Sequence, residues 1–111
     1  MKKFQLGEFE EVVLLTVAIL FGEAYGVSIR HEIEARLNRK VSVSALQTAL
    51  RRMEKKGYLD SNFGESTAIR GGKRKRFFRV TRYGKEALEH SKDSRLRLWE
   101  AIPNMAFEFD N

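Results

Sequence analysis

The chain has 111 residues, a formal net charge of +6 at pH 7 and no cysteine. This length suits one domain with one modest hydrophobic core, and the lack of cysteine excludes disulfides and thiolate metal sites. The longest apolar run, at residues 12–21, is too short to cross a bilayer. Acidic residues follow the first lysines too soon for a signal peptide, so we expect a cytoplasmic protein with no membrane partner.

Positive charge is concentrated in the middle of the sequence. Residues 36–85 contain fifteen lysines and arginines against three acids, whereas both flanking segments are mildly acidic. A polyanion is the natural partner for such a segment. Nucleic acid, an anionic membrane surface and a solvated basic face without a partner all fit the charge pattern alone.

Two helices are predicted in the first third of the chain. Residues 8–21 begin with three glutamates, which favour a helix N-terminus, and continue as an almost wholly apolar run. Such a helix is buried on more than one side, and a partner chain would supply part of its cover. After a GEAYG turn, residues 27–38 place apolar and charged side chains at helical spacing, which predicts an amphipathic second helix.

A third helix is predicted over residues 44–57. Ser44 and Gln47 have the spacing of a capping box, in which each side chain bonds a free amide at the helix start. Gly57 suits the residue that ends a helix. The apolar residues of this helix form one stripe, made of Leu46, Ala49, Leu50 and Met53.

A β-hairpin and a last helix follow. Residues 58–65 and 73–81 are rich in aromatic and β-branched side chains and flank a glycine-containing segment, which predicts two strands with a long basic tip. Thr81 can cap a helix over residues 82–102, and Pro103 stops that helix.

This order of elements predicts a mainly α (α+β) fold, the winged helix-turn-helix. The second and third helices form the helix-turn-helix, and the two-stranded hairpin forms the wing, whose glycines would let its cations approach a phosphate backbone closely. We expect a DNA-binding domain over residues 1–81. A C-terminal dimerisation helix over 82–102 belongs to the same compact unit, and residues 103–111 form a tail.

Four stretches of the sequence resemble the short form of the PadR family of transcriptional regulators. They are LGEFEEVVLL at the front, YGVSI in the second helix, ALQTALRRMEKKGYL in the third, and GGKRKRFFRVTRYG over the wing. The chain departs from the family pattern at Gln47, Phe77 and Phe78, where the family usually has tyrosines. The resemblance implies a sequence-specific repressor that binds a pseudo-palindromic operator as a homodimer and that a small effector releases.

The DNA contacts are expected on the third helix and the wing. A recognition helix enters the major groove, and the outward side chains of the third helix are Ser44, Gln47, Thr48, Arg51 and Arg52. Glutamine can read adenine and arginine can read guanine, although Arg52 could instead pair with Glu54. An ordinary polar helix face is the competing interpretation. The wing cations expected to touch phosphate or the minor groove are Arg70, Lys73, Arg74 and Arg76.

The last helix carries the single tryptophan of the chain, Trp99. The resemblance implies that the terminal helices pair across a two-fold axis, where some family members bind flat aromatic effectors. A slot for such an effector would be lined by Trp99, Leu98, Ile102, Leu15 and Phe9. Plain packing between two subunits is the other interpretation of Trp99.

No catalytic residue, metal site or cofactor is expected. His31 and His90 lack partners at ligand spacing, and the sequence contains neither a nucleophile elbow nor a phosphate-binding loop. A winged-helix module that binds an acidic protein or RNA through the same basic face is the alternative function. RNA readers more often expose stacking aromatics, so the third helix favours DNA.

Overall fold

The computed structural model describes residues 4–64 and 74–110. Its elements, in chain order, are α1 (Glu8–Ile19), α2 (Gly26–Leu37), α3 (Val43–Lys56), β1 (Leu59–Phe63), β2 (Arg76–Val80) and α4 (Arg82–Glu100). A short 3-10 turn at Asn104–Phe107 follows α4. Four helices with one antiparallel hairpin confirm the predicted α+β winged helix-turn-helix.

Helix α1 is the central element of the fold. Its buried side chains Val13, Leu14 and Val17 join the common core with α2 and α3. Leu15 and Ile19 on the opposite side remain about half exposed. The chain therefore covers one side of this apolar helix and leaves a second apolar strip open.

The first turn of α1 holds three carboxylates, each paired with a cation from a different element. The ion pairs are Glu8–Arg39 at 2.9 Å, Glu10–Lys56 at 3.0 Å and Glu11–Arg95 at 2.8 Å. Their cations come from the α2–α3 connector, the end of α3 and the middle of α4. The start of α1 thus ties together the parts of the chain that position the recognition helix.

The connector between α2 and α3 is a compact turn. Asn38 ends α2 in the left-handed conformation, with a φ of 49°, and the Glu34 carboxylate accepts the Val41 N–H at 2.9 Å. Ser42 then caps α3, because its hydroxyl accepts the Ala45 N–H at 3.1 Å. The predicted capping box was wrong: the cap is Ser42, whose backbone is extended, two residues before the predicted cap, and Ser44 lies inside the helix.

The core packs where the predicted stripe of α3 meets α1 and α2. Leu46, Ala49, Leu50 and Met53 are all buried, as predicted, and Gly57 ends the helix with a φ of 88°. Each fully buried side chain of this size contributes on the order of 1.5–3 kcal/mol. The orientation of α3 is therefore fixed by its inner face, which leaves its outer face free for function.

The hairpin pairs Leu59 with Val80 and Phe63 with Arg76. The N–H of Phe78 also donates to the carbonyl of Ala24 at 2.8 Å, so β2 is held to the connector between α1 and α2. The second strand begins at Arg76 in the structure, not at residue 73 as predicted. The predicted tip of the wing spans residues 64–72, and all of it except Gly64 lies outside the described residues.

Helix α4 is firmly packed at its start and exposed towards its end. Thr81 caps it as predicted, because its hydroxyl accepts the Gly84 N–H at 3.0 Å. A Cβ at Gly84 would lie 2.2 Å from the Tyr58 carbonyl oxygen, so glycine allows α4 to approach the chain before β1. From Arg95 to the end of the helix every residue is exposed.

Candidate nucleic-acid interface

The outer face of α3 carries all five recognition-helix residues that were predicted to contact DNA. Ser44, Gln47, Thr48, Arg51 and Arg52 are exposed, while the stripe beneath them is buried. Ser44 and Thr48 are small, so the start of the helix can approach another surface closely. Polar and cationic groups on a well-anchored helix are the arrangement that base readout requires.

Gln47 has a defined position on this face. A Cβ at Gly26 would lie 3.2 Å from the Gln47 amide nitrogen, so this side chain extends across the start of α2. The glycine makes room for it. The Gln47 amide is therefore placed at the junction of the two helices of the helix-turn-helix.

The arginines of α3 are available for an external partner. Within residues 4–64 and 74–110, neither Arg51 nor Arg52 forms a side-chain ion pair or hydrogen bond. The expectation that Arg52 could pair with Glu54 was wrong, because Glu54 bonds Arg76 of β2 instead. Helical geometry explains this, since positions two apart on a helix do not face each other.

The four predicted wing cations fall into three situations. Arg70 and Lys73 lie outside the described residues. Arg74 is exposed, with its guanidinium 5.1 Å from the centre of the Phe63 ring. Arg76 bonds Glu54 at 3.0 Å and also lies over Phe63 and Phe78. Of the described pair, Arg74 is the cation that has no acidic partner within residues 4–64 and 74–110.

Acidic groups next to α3 are neutralised by partners within the chain. Hydrogen bonds from Arg39 lower the pKa of the Glu8 carboxyl below its usual value, and the same contact raises the pKa of Arg39. A hydrogen bond from the Val41 N–H likewise lowers the pKa of Glu34. These carboxylates are ionised at neutral pH, and each has a cation or an N–H beside it that offsets its repulsion of a polyanion.

A second surface lies at the other end of the molecule, between α1 and α4. A groove of about 880 Å³ runs there, lined by Glu11, Leu15, Leu88, Glu89, Lys92, Arg95, Leu96 and Trp99. Trp99 and Leu15 were predicted to share a slot, and the structure brings both of them to this groove. Leu98 and Ile102 do not line it.

Phe9 does not belong to this groove. Its ring lies under the Arg39 guanidinium at 5.4 Å, in a depression that also includes Ser44, Thr48 and Arg52. Within one chain, the helical position of Phe9 turns it towards α3 and away from Trp99. A slot to which a second chain contributes Phe9 stays a prediction. No local sequence signal distinguishes the two sides of so apolar a helix.

Other kinds of site are not formed by the described part of the chain. Within it, no three side chains among histidine, aspartate and glutamate come close enough to hold a metal ion. None of its helices combines the length and hydropathy needed to cross a bilayer.

The fold and the basic face together define a winged-helix protein of the DNA-binding class. Several of the solved structures similar to it are described as PadR-family regulators. A PadR-like regulator from Bacillus cereus has a TM-score of 0.70 and 21% identity, with 91% of this chain and 93% of that chain covered. A PadR-family regulator from Eggerthella lenta has a TM-score of 0.69 and 20% identity, with 92% and 88% covered.

A PadR-family transcription regulator from Clostridium difficile is 27% identical, with a TM-score of 0.62 and 80% and 91% of the two chains covered. No curated protein matches the chain. Residues 14–90 match the family described as the transcriptional regulator PadR-like family. The chain therefore belongs to the PadR-like family of transcriptional regulators, as its sequence motifs predicted.

Proposed function

We propose that this protein is a homodimeric repressor that reads a pseudo-palindromic DNA operator with α3. The observation that carries the proposal is the outer face of α3. Its polar side chains are exposed, its two arginines have no partner in the described ranges, and its inner face is locked into the core. Thr48 and Gln47 are the proposed base readers, with Arg51 and Arg52 beside them and Ser44 at the groove entrance.

The wing would contribute affinity rather than selectivity. Arg74, together with Arg70 and Lys73, is proposed to neutralise phosphates next to the major groove. Contacts to phosphate position a protein on DNA but carry no sequence information directly. Their strength falls with salt, because each neutralised phosphate releases counterions.

The homodimer is supported by apolar surface that one chain leaves open. Leu15 of α1 is exposed beside Leu96 and Trp99 of α4, and Ile19 of α1 is exposed as well. A second copy could cover these side chains by placing its own α4 in the groove between α1 and α4. Two copies related by a two-fold axis would present two α3 helices, which matches a pseudo-palindromic operator.

A small aromatic effector is proposed to act at the same groove. Trp99 is 66% exposed and offers a flat apolar face, and the neighbouring Leu15 and Leu96 are apolar. An effector that binds there would change the spacing of the two α3 helices. Titration with planar compounds, followed by Trp99 emission and operator affinity together, tests this part of the proposal.

The experiment that tests the main proposal is a selection followed by a competition assay. Fragments of sheared genomic DNA retained by the purified protein are sequenced, and the enriched duplex is labelled and bound in gel shifts. We expect binding to resist excess random duplex and transfer RNA. Equal competition by random DNA would contradict the operator, and preferential competition by RNA would support the RNA-binding alternative.

A further inference from the structure

The end of α3 and both strands of the wing are joined by one polar network. Glu54 of α3 accepts two hydrogen bonds from a terminal nitrogen of Arg76, at 3.0 and 3.2 Å. Its carboxylate also accepts the Ser61 hydroxyl proton at 2.6 Å. The Ser61 oxygen in turn accepts a bond from Arg76 Nε at 2.9 Å. Three elements therefore meet at one carboxylate.

The network closes on itself. Ser61 is in β1 and Arg76 is in β2, so the two side chains link the strands as well as linking each strand to α3. The Arg76 guanidinium also lies 5.5 Å from the Phe63 ring centre and 5.8 Å from that of Phe78. Stacking of this kind holds the guanidinium plane in place. Each of these contacts of Arg76 is thus made to a neighbouring residue of the chain, although the side chain remains partly exposed.

A two-stranded hairpin has little independent stability in water, so its orientation depends on what attaches it to the rest of the molecule. One attachment is the backbone bond from Phe78 to Ala24. The hairpin also follows α3 directly in the chain and buries Leu59 in the core that it shares with α3. The Glu54 network is the polar side-chain attachment that links both strands to this helix. A change in this network would alter the angle between the wing and α3.

We propose that Glu54, Ser61 and Arg76 are positioning residues that fix the wing relative to the recognition helix. Arg76 then acts through Glu54 and is not itself a phosphate contact. The expected effect on operator binding rests on the proposed DNA-binding function. The positioning itself does not, since it can be measured in the free protein.

The proposal makes a prediction whose sign is opposite to that of simple electrostatics. Glu54 is an acid within the basic middle of the chain, so its removal would by charge alone strengthen DNA binding. If Glu54 positions the wing, Glu54→Ala should instead weaken operator binding, by about tenfold, the equivalent of losing one interaction of the charged type. The matched control is Asp60→Ala, which removes an acid paired with Arg79 across the same hairpin at 3.5 Å without touching α3.

Positioning is measured directly by the distance between α3 and the hairpin. The chain has no cysteine, so spin labels can be placed at exposed positions with Lys55→Cys and Asn62→Cys. In the free protein the distance distribution should be narrow. It should broaden with Glu54→Ala and stay narrow with Asp60→Ala. A distribution that is unchanged by Glu54→Ala overturns the proposal, whether or not the protein binds DNA.

Arg76→Lys provides a second route should Glu54→Ala fail to fold. It keeps the positive charge but loses the forked pairing, so we expect broadened distances and weaker operator binding with an unchanged salt dependence. A phosphate contact predicts another pattern: Arg76→Ala would lower the log–log salt slope by about 0.9, and Glu54→Ala would tighten binding. That pattern would contradict the positioning role. Failure of the wild-type protein to bind any DNA, with the distance result intact, would contradict the proposed function alone.

Discussion

The two longest helices of the molecule begin alike and end differently. Helix α3 is capped by Ser42 and α4 by Thr81, each through a hydroxyl that accepts an N–H of the first turn. Helix α3 then buries an apolar stripe from Leu46 to Met53. Helix α4 buries only Gly84 and Ala87, near its start, and exposes apolar side chains near its end.

This difference separates two kinds of exposed surface. Apart from Val43 and Ala45 in its first turn, what α3 exposes is polar and cationic, which is stable in water and suited to binding a polyanion. What α4 exposes includes Leu96, Leu98 and Trp99, which are 48%, 72% and 66% accessible. Clustered apolar exposure of this size marks a surface that another protein covers. Under the proposed function, this comparison assigns recognition to α3 and assembly to α4.

The largest expected effect comes from a charge placed in the groove between α1 and α4. Leu96→Glu should convert a dimer of twice 12.9 kDa into a monomer, measured by light scattering at micromolar concentration. Operator affinity should fall by about 10²–10⁴-fold, because the second recognition helix loses its effective concentration. Leu37→Glu is the matched control, since Leu37 is 51% exposed on α2 and should leave the dimer intact. A wild-type protein that is monomeric at micromolar concentration would contradict the assignment of assembly to α4.

The next effect concerns the packed start of α4. Gly84→Ala would place a methyl group 2.2 Å from the Tyr58 carbonyl oxygen and 3.0 Å from Val80. Overpacking against backbone should lower the free energy of unfolding by about 3 kcal/mol, measured by urea titration. Lys85→Ala at the neighbouring exposed position should change it by less than about 0.5 kcal/mol. Equal effects of the two substitutions would mean that α4 is not packed as described.

Substitutions on the outer face of α3 should change selectivity. Thr48→Ala or Gln47→Ala should cost about 1–3 kcal/mol of binding free energy only on operators where the lost side chain contacts a base. Arg74→Ala should weaken operator and random DNA alike and lower the log–log salt slope by up to about 0.9. Fluorescence anisotropy measures the affinity of each variant, relative to the wild type, for the operator and for random DNA. If Thr48→Ala and Gln47→Ala also weaken binding to operator and random DNA by the same factor, as Arg74→Ala should, α3 is not the reading element.

The smallest effect distinguishes the two serines at the start of α3. Ser42→Ala removes the hydroxyl that accepts the Ala45 N–H and should lower the free energy of unfolding by about 1 kcal/mol. Ser44→Ala should cost less, because Ser44 is an exposed residue inside the helix whose hydroxyl bonds only Ser42. Thermal unfolding of both variants measures the difference. A larger loss of stability in Ser44→Ala than in Ser42→Ala would mean that Ser44 is the N-cap, as predicted from the sequence.

Much of this architecture could be predicted because it depends on local patterns. The stripe on α3, the helix end at Gly57 and the cap at Thr81 follow from spacing and residue type, and all three are confirmed. The choice of Ser42 over Ser44 could not be predicted in this way. It depends on where the chain turns after Asn38, which the bond between Glu34 and Val41 helps to set.

The candidate site was predictable as a set of exposed residues and less so as a set of contacts. The outward face of α3 follows from its buried stripe. The partner of Glu54, however, lies 22 residues away at Arg76, and helical spacing carries no information about a residue in a strand. The contact of Phe9 with Arg39 was not predictable for a related reason, since it joins residues 30 positions apart.

The most direct test of the assignment of recognition to α3 and assembly to α4 is a hydroxyl-radical footprint on the duplex enriched from genomic DNA. It should be read together with the mass of the complex by sedimentation. We expect two protected patches related by a two-fold axis, with centres about one helical turn apart or a multiple of it, and two protein chains per duplex. A single protected patch with one bound chain, or protection that does not depend on sequence, would contradict the account.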